Sequence, residues 1–184
     1  MKFVNPLLVR LLTLLIGLSS LYGCSDLKNE EQVICTTSEY SAGVALSGWV
    51  VLSSSSAAGA GATAYDVSWA GLLAAELKTL DVELTNLAKG GMVSYQAFPE
   101  TCILPESRLA FAPLPDHNLT KALSVNPSII LISFPSNDVA VGFSNEEAIA
   151  NFQWFEHIAH LRGVRVIFLS LQPRNSTVEV RRKL

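Results

Sequence analysis

The sequence has little of what nucleic-acid-binding and metal-binding proteins usually carry. Its formal net charge is -3, and no block of lysine or arginine gives the basic surface that binds nucleic acid. Its three cysteines and three histidines show no C-x-x-C or H-x-x-x-H spacing, which argues against a zinc site. We therefore expect no nucleic-acid partner, no metal and no cofactor.

Charged residues are also few, at 16% of the chain, whereas 49% of the residues are apolar. A chain of 184 residues with this composition is large enough for one globular domain with a sizeable core. No internal repeat is visible. The composition therefore predicts one compact domain together with any targeting segment.

The N-terminus lacks an apolar run long enough to span a membrane, but it has the three parts of an export signal. Lys2 and Arg10 come before an apolar stretch over residues 11–21, and the small Gly23 comes before Cys24. This arrangement resembles the lipobox of bacterial lipoproteins, which implies that Cys24 is acylated and becomes the first residue of the mature chain. The alternative is a free cysteine at an ordinary cleavage site.

The lipobox resemblance also implies a location. Ser25, rather than aspartate, follows the cysteine, which is typical of lipoproteins sorted to the outer membrane. We expect a signal peptide over residues 1–24, a tether over 25–46 and a domain over 47–184 that is anchored through lipid and faces the periplasm. Cys35 and Cys102 would meet an oxidising environment there. The sequence leaves open whether these two cysteines pair.

Short apolar stretches alternate with helical patterns along the domain. The patterns predict strands at 49–52, 82–84, 129–134 and 164–171, and helices at 69–80 and 145–161. Ser144 and Glu147 are spaced as a capping box at the start of the second helix. Strands that alternate with helices predict an α/β fold, in which helices cover both faces of a parallel sheet.

Polar or glycine-containing loops follow the first three predicted strands. They read SSSSAAGAGA from Ser53, NLAKGG from Asn86 and PSND from Pro135. Loops after parallel strands meet at the carboxyl edge of the sheet, where ligands bind in such folds. Taken singly, each loop also fits an ordinary turn or a helix cap.

The three loops resemble blocks I, II and III of the SGNH hydrolases, also called the GDSL esterase/lipase family. The resemblance places the family's serine nucleophile on Ser55, its block II glycine on Gly91 and its block III asparagine on Asn137. It implies a flavodoxin-like α/β/α sandwich with strand order 2-1-3-4-5, and hydrolysis of carboxylic esters or lipids. The backbone N–H groups of Ser55 and Gly91 and the amide of Asn137 would form the oxyanion hole. We expect Asp138 to be structural.

The family's fourth block, a D-x-x-H motif near the C-terminus, is missing from the sequence. His157 and His160 are predicted to share one helix face and to pack or face solvent, whereas His117 in the loop PDHN stays open as a base. We therefore expect a C-terminally truncated esterase with impaired activity and an apolar edge at its last strand. The alternatives are a chain completed by a partner and a lipid-anchored binding protein without catalytic activity.

A dinucleotide-binding site is a further interpretation of the same glycines. Gly59, Gly61 and Ala64 fit the spacing G-x-G-x-x-A, with Glu83 about twenty residues on. That motif normally begins at the end of the strand and opens a helix at once, whereas here four serines come first. The sequence therefore favours the hydrolase over the dinucleotide-binding protein.

Overall fold

The structure is a computed structural model that describes residues 32–38 and 45–170. The predicted signal peptide, including Cys24, lies outside these ranges. Within them, no helix is both long enough and apolar enough to cross a membrane.

The domain contains a four-stranded sheet and helices that connect the strands. The strands are β1 (Trp49–Ser53), β2 (Leu84–Asn86), β3 (Ile129–Ser133) and β4 (Arg165–Phe168). The α-helices are α1 (Trp69–Thr79), α2 (Leu119–Ser124), α3 (Pro135–Ala140) and α4 (Asn145–Leu161). Three 3-10 helices lie in the connections, at Tyr65–Val67, Ser94–Ala97 and Glu106–Phe111.

All strand pairs are parallel, and the order is β2-β1-β3-β4. Trp49 of β1 is in register with Leu84 on one side and Ile129 on the other, and Ile129 is in register with Arg165. The central strands β1 and β3 are therefore enclosed by neighbours. The α/β fold class and the first four positions of the predicted strand order are confirmed.

Alternate residues of the central strands enter two separate apolar clusters, one on each face of the sheet. The thick face combines Val50, Leu52, Ile130 and Ile132 with residues of α2, α4 and the long connections. The thin face combines Val51, Ile129 and Leu131 with residues of α1. The sheet is thus the middle layer of an α/β/α sandwich, as predicted.

Side-chain caps set the starts of the two long helices. The Ser68 hydroxyl accepts the Gly71 N–H at the start of α1, at 3.1 Å. Ser144 and Glu147 form the predicted capping box of α4: each side chain accepts the other residue's backbone N–H. These contacts satisfy donors that a helix leaves unpaired at its first turn.

Two short elements differ from the prediction. β2 lies two residues later than expected, because the chain leaves α1 through a turn in which Val82 N–H donates to Leu77 O and Asp81 is left-handed, with φ 58°. The PSND segment was expected to be a loop but forms the short helix α3. Proline is well tolerated in a first helical turn, since its missing N–H has no partner there in any case.

Residues 32–38 are attached to the domain, although the sequence analysis assigns them to a tether. Ile34 and Ile103 exchange backbone hydrogen bonds at 3.0 and 2.8 Å, and Val33 is buried. Cys35 and Cys102 form a disulfide with their Cα atoms 4.2 Å apart. The pairing that the sequence left open is therefore present, and it joins this segment to the thick face.

β4 is the end strand of the described sheet. Among the described residues it pairs with β3 alone, and Ile167 and Phe168 are 42% and 39% exposed.

Candidate active site

The loops that follow β1, β2 and β3 lie at one edge of the sheet, because these strands are parallel neighbours. Two backbone hydrogen bonds fasten the loop after β2 to the end of β1. Leu87 N–H donates to Val51 O at 2.9 Å, and Lys89 N–H donates to Ser53 O at 3.2 Å. The pairing of β2 with β1 thus continues three residues beyond the end of β2. It brings the loop that carries Gly91 beside the loop that carries Ser55.

The four serines of the SSSS run differ in their surroundings. Ser53 is fully buried, and its hydroxyl donates to Ser133 O at 2.8 Å, so it ties β1 to β3. Ser54 is also buried, whereas Ser55 and Ser56 are partly exposed. Only the last two therefore present a side chain that a ligand can reach.

Ser55 begins a compact turn rather than a regular helix. Ala60 N–H donates to Ser55 O at 2.9 Å, and α1 begins well after this turn. Asn86 at the end of β2 holds the turn in place: its Nδ2 donates to Ala57 O at 2.8 Å, and its Oδ1 accepts Ala88 N–H at 3.0 Å. Sequence reasoning assigned no role to Asn86, although it is the first residue of the NLAKGG motif.

Gly91 lies in a tight turn. Met92 N–H donates to Lys89 O at 3.2 Å, and Gly91 has φ +77° at the third position of this turn, which is typical of type II. A Cβ built at Gly91 would meet no atom within 4 Å. Glycine is therefore needed here for its backbone conformation, and the space in front of it is open.

Asn137 joins the third loop to the second. It lies in the first turn of α3, and its Nδ2 donates to Met92 O at 2.8 Å. A carboxamide nitrogen carries two N–H groups, so one remains for another acceptor. The residue after Gly91 is thereby fixed to the helix that follows β3.

The fold leaves a hydroxyl and several N–H groups available among the residues predicted to act in catalysis. Within residues 32–38 and 45–170, the hydroxyl and N–H of Ser55 and the N–H of Gly91 make no hydrogen bond. With the second N–H of Asn137, the edge offers one hydroxyl and three donors. A hydroxyl can act as a nucleophile once a base takes its proton, and such donors stabilise a developing oxyanion.

Asp138 is a buried carboxyl that binds the chain shortly after the loop of Gly91, at Ser94. Its side chain is fully buried, Oδ1 accepts Ser94 N–H at 2.8 Å, and Oδ2 has no hydrogen-bond partner in the part of the chain that the structure describes. Burial raises the pKa of this carboxyl to about 6, and the nearby charge of Glu147 adds to the rise, while the Ser94 hydrogen bonds oppose it. Asn151 in turn donates to the Ser94 hydroxyl at 2.9 Å. These contacts are consistent with the structural role expected for Asp138.

The three histidines lie in different places. His157 and His160 are exposed on α4, as expected from their helical spacing. His117 is partly buried between the turn at Leu114 and the start of α2, and its Nδ1 lies 2.9 Å from Leu87 O. Of the three, His117 is therefore the one held against the loop that carries Gly91.

Other features of the described residues lie apart from this edge. A cleft of about 670 Å³ opens at the opposite edge, at the amino ends of β1 and β2, where Trp49, Lys78 and Glu83 line it. No group of three or more metal-ligating side chains occurs within the described ranges. The groups suited to acyl transfer are those at the carboxyl edge.

The fold of this chain can be compared with that of a protein of known structure. The fold is similar to the crystal structure of the psychrotrophic esterase EstA from Pseudoalteromonas sp., inhibited by monoethylphosphonate. The match has a TM-score of 0.53 and 17% sequence identity, and it covers 74% of this chain and 67% of the esterase. No family model and no curated protein matches the sequence. The comparison therefore shows a fold that an esterase also has.

Proposed function

We propose that this protein is a serine hydrolase of the SGNH type that acts on carboxylic esters. Ser55 is the nucleophile, and the oxyanion of the tetrahedral intermediate accepts hydrogen bonds from the N–H groups of Ser55 and Gly91 and from Asn137. A Cβ built at Gly91 would meet no atom within 4 Å, so this glycine is not enclosed by neighbouring atoms on that side. The likeness to an esterase fold supports this proposal without deciding the substrate.

One observation carries the proposal: the loop after β2 is anchored on both sides of Gly91. Lys89 is bonded to Ser53 of β1, and Met92 is bonded to Asn137 of α3. Gly91 is therefore held between the loop of Ser55 and Asn137, and its N–H has no acceptor among the described residues. Donors that are fixed before the substrate arrives stabilise the transition state without reorganisation.

The test is hydrolysis of p-nitrophenyl acetate by the purified chain. Ser55→Ala should lower the rate by ~10³-fold or more, as expected for loss of a serine nucleophile. Ser56→Ala is the matched control, because Ser56 is the adjacent, similarly exposed serine, and this variant should hydrolyse at the wild-type rate. Asn137→Ala should lower kcat by ~10²–10³-fold through loss of one oxyanion donor.

The same assay separates the hydrolase from a binding protein. Turnover that survives in Ser55→Ala, or no turnover above the buffer rate in the wild type, would contradict the proposal. Binding of an ester analogue by a chain without turnover would instead favour the non-catalytic alternative.

We further propose that the protein acts at the cell envelope, anchored to the outer membrane by acylated Cys24 and facing the periplasm. The lipobox-like residues before Cys24 and the Cys35–Cys102 disulfide support this location, since disulfides persist in oxidising compartments. Mass spectrometry of the protein from membranes should show an acylated Cys24 at the mature N-terminus. Cys24→Ser should leave an unprocessed precursor, and a wild type without acyl mass would contradict the anchor.

A further inference from the structure

Asn137 and Asp138 are neighbours in α3, and both side chains bind the segment that follows Gly91. Asn137 Nδ2 donates to Met92 O at 2.8 Å. Asp138 Oδ1 accepts Ser94 N–H, also at 2.8 Å. Two consecutive residues of one short helix thus hold the chain on the C-terminal side of the glycine.

Asp138 gives the segment after Gly91 a second link to α3. If Asn137 made the sole link, a small rotation of its amide towards a ligand would also move the segment. Asp138 and Ser94 are both fully buried, so the hydrogen bond between them lies in a medium where such bonds are strong. The pKa of about 6 leaves the carboxyl ionised at neutral pH, and a charged acceptor makes a stronger hydrogen bond than a neutral one. The link through Asp138 therefore keeps the segment in place when Asn137 turns its second N–H to a ligand.

The residues around Asp138 restrain this contact from two helices. Phe143 N–H donates to Asp138 O at 2.9 Å, which closes the turn after α3. Ser94 is bound from α4 as well, because its hydroxyl accepts Asn151 Nδ2 at 2.9 Å, and Asn151 is also buried. The hydrogen bond between Asp138 and Ser94 therefore joins the segment after Gly91 to a framework that includes both α3 and α4.

The turn that contains Gly91 depends on the contacts at its two ends. At the first end, Lys89 N–H donates to Ser53 O. At the second end, Met92 and Ser94 are bound to α3. Gly91 itself is exposed, and no atom would lie within 4 Å of a Cβ built on it. Packing around the glycine therefore contributes little to its position, and the hydrogen bonds at the two ends set the direction of its N–H.

We propose that Asp138 is a positioning residue for the oxyanion hole, an assignment that rests on the proposed function. Its hydrogen bond to Ser94 fixes the second end of the turn, so that the N–H of Gly91 and the amide of Asn137 keep a constant separation. Asp138 is fully buried, so it acts through these two donors. Donors held in place before the reaction stabilise the oxyanion without having to be ordered first. Asp138 therefore affects the rate of the chemical step more than the binding of the ester.

The first measurement does not depend on turnover. Asp138→Ala removes the acceptor of Ser94 N–H, and NMR relaxation should then show a less ordered Gly91 amide than in the wild type. Asp138→Leu is a second variant without the acceptor, and it fills the space that the carboxyl leaves. Asn118→Ala is the matched control, because Asn118 is also fully buried and caps α2 by accepting Lys121 N–H at 2.9 Å. It should lower the melting temperature without changing the order of the Gly91 amide.

The second measurement is the kinetics of p-nitrophenyl acetate hydrolysis below the melting temperature of every variant. Asp138→Ala and Asp138→Leu should lower kcat by ~10–10²-fold, the size of effect that a small misplacement of reacting groups produces. KM should stay at the wild-type value, because the lost interaction acts in the transition state. Asp138→Asn keeps an acceptor for Ser94 N–H and should recover most of kcat, and Asn118→Ala should keep the wild-type kcat.

The outcomes separate this assignment from the hydrolase itself. If the Gly91 amide stays ordered in Asp138→Ala and Asp138→Leu, or if these variants keep the wild-type kcat, the positioning role is wrong and Ser55-dependent turnover still supports the hydrolase. A kcat for Asp138→Asn as low as that of Asp138→Ala would also contradict the role of the acceptor. If the wild type shows no Ser55-dependent turnover, the hydrolase is wrong and the assignment of Asp138 is wrong with it.

Discussion

The two faces of the sheet bury different numbers of apolar side chains, and residues of the candidate site pack against both faces. The thick face contains the largest buried side chains of the described residues, with Phe98, Phe134 and Phe155 in contact around it. The thin face has a smaller cluster of five buried residues, two of them Ala57 and Ala70, and its aromatic side chains, Trp49 and Trp69, are only partly buried. One side of the domain is therefore held by fully buried aromatic rings and the other by fewer and less deeply buried side chains.

Different parts of the candidate site pack against different faces of the sheet. Met92, which carries the contact to Asn137, is buried in the thick face together with Phe134, the residue before α3. The turn that begins at Ser55 instead packs through Ala57 on the thin face. The proposed oxyanion donors of the second and third loops are thus supported by the larger core, whereas the proposed nucleophile Ser55 depends on the smaller core and on the Asn86 contact.

The largest expected effect tests whether the thick face carries most of the stability. Phe155→Ala removes a fully buried ring whose centroid lies 4.7 Å from that of Phe98, and it should lower the free energy of unfolding by ~3–5 kcal/mol. Leu73→Ala, on the thin face, removes a half-buried side chain and should cost ~1 kcal/mol. Urea denaturation measures both, and equal costs would contradict the comparison.

The disulfide should contribute somewhat less than the aromatic core. Cys35 and Cys102 are 67 residues apart, and a crosslink of this length restricts the unfolded chain. The double variant Cys35→Ala, Cys102→Ala should lose ~2–4 kcal/mol of unfolding free energy. The reduced wild type should behave like the double variant, and a reduced wild type as stable as the oxidised one would show that the thick face does not depend on this bond.

The smallest expected effect is a pH dependence from Asp138. Because the folded pKa of this carboxyl is raised from 3.8 to about 6, the unfolded chain releases the proton at lower pH than the folded chain does. Its contribution to stability is therefore largest below pH 4, falls as the pH rises towards 6 and is constant above that. The contribution of Asp138 to the free energy of unfolding should fall by ~2–3 kcal/mol over this range, because each pKa unit corresponds to about 1.4 kcal/mol.

Asp138→Asn provides the control, because it removes the titrating group and leaves an acceptor for Ser94 N–H. The difference in unfolding free energy between wild type and variant should change between pH 4 and 6 and be flat elsewhere. A difference that does not vary with pH would show that the carboxyl titrates normally inside the thick face.

The central strands and α4 could be predicted from the sequence because their signals are local. β1 and β3 are uninterrupted apolar runs, and α4 begins at a capping box that is recognisable in the sequence from the spacing of Ser144 and Glu147. β2 was predicted two residues early, because the left-handed turn at Asp81 has no signal as clear as a glycine. For α3 a signal existed: Pro135 suits a first helical turn, but PSND was interpreted as a loop.

For the candidate site, the sequence could indicate which loops come together but not how they are joined. Asn137 and Met92 are 45 residues apart, and Asn86 and Ala57 are 29 apart, so their hydrogen bonds depend on the folded sheet. The same is true of His117 and Leu87, which are 30 residues apart. Residue types and order suggest a nucleophile and its donors, whereas the hydrogen-bond partner of each side chain follows only from the fold.

The continued pairing of the second loop with β1 has a consequence for the dynamics of this edge. The amides of Leu87 and Lys89 are bonded to the central strand, so they open with the sheet, whereas the amide of Gly91 is unbonded within the described residues and exchanges from the native state. We therefore expect slow and fast hydrogen exchange within five consecutive residues, Leu87 to Gly91. An anion that binds Gly91 N–H breaks no hydrogen bond among the described residues, so the order of this edge is established once, during folding, rather than each time an anion binds.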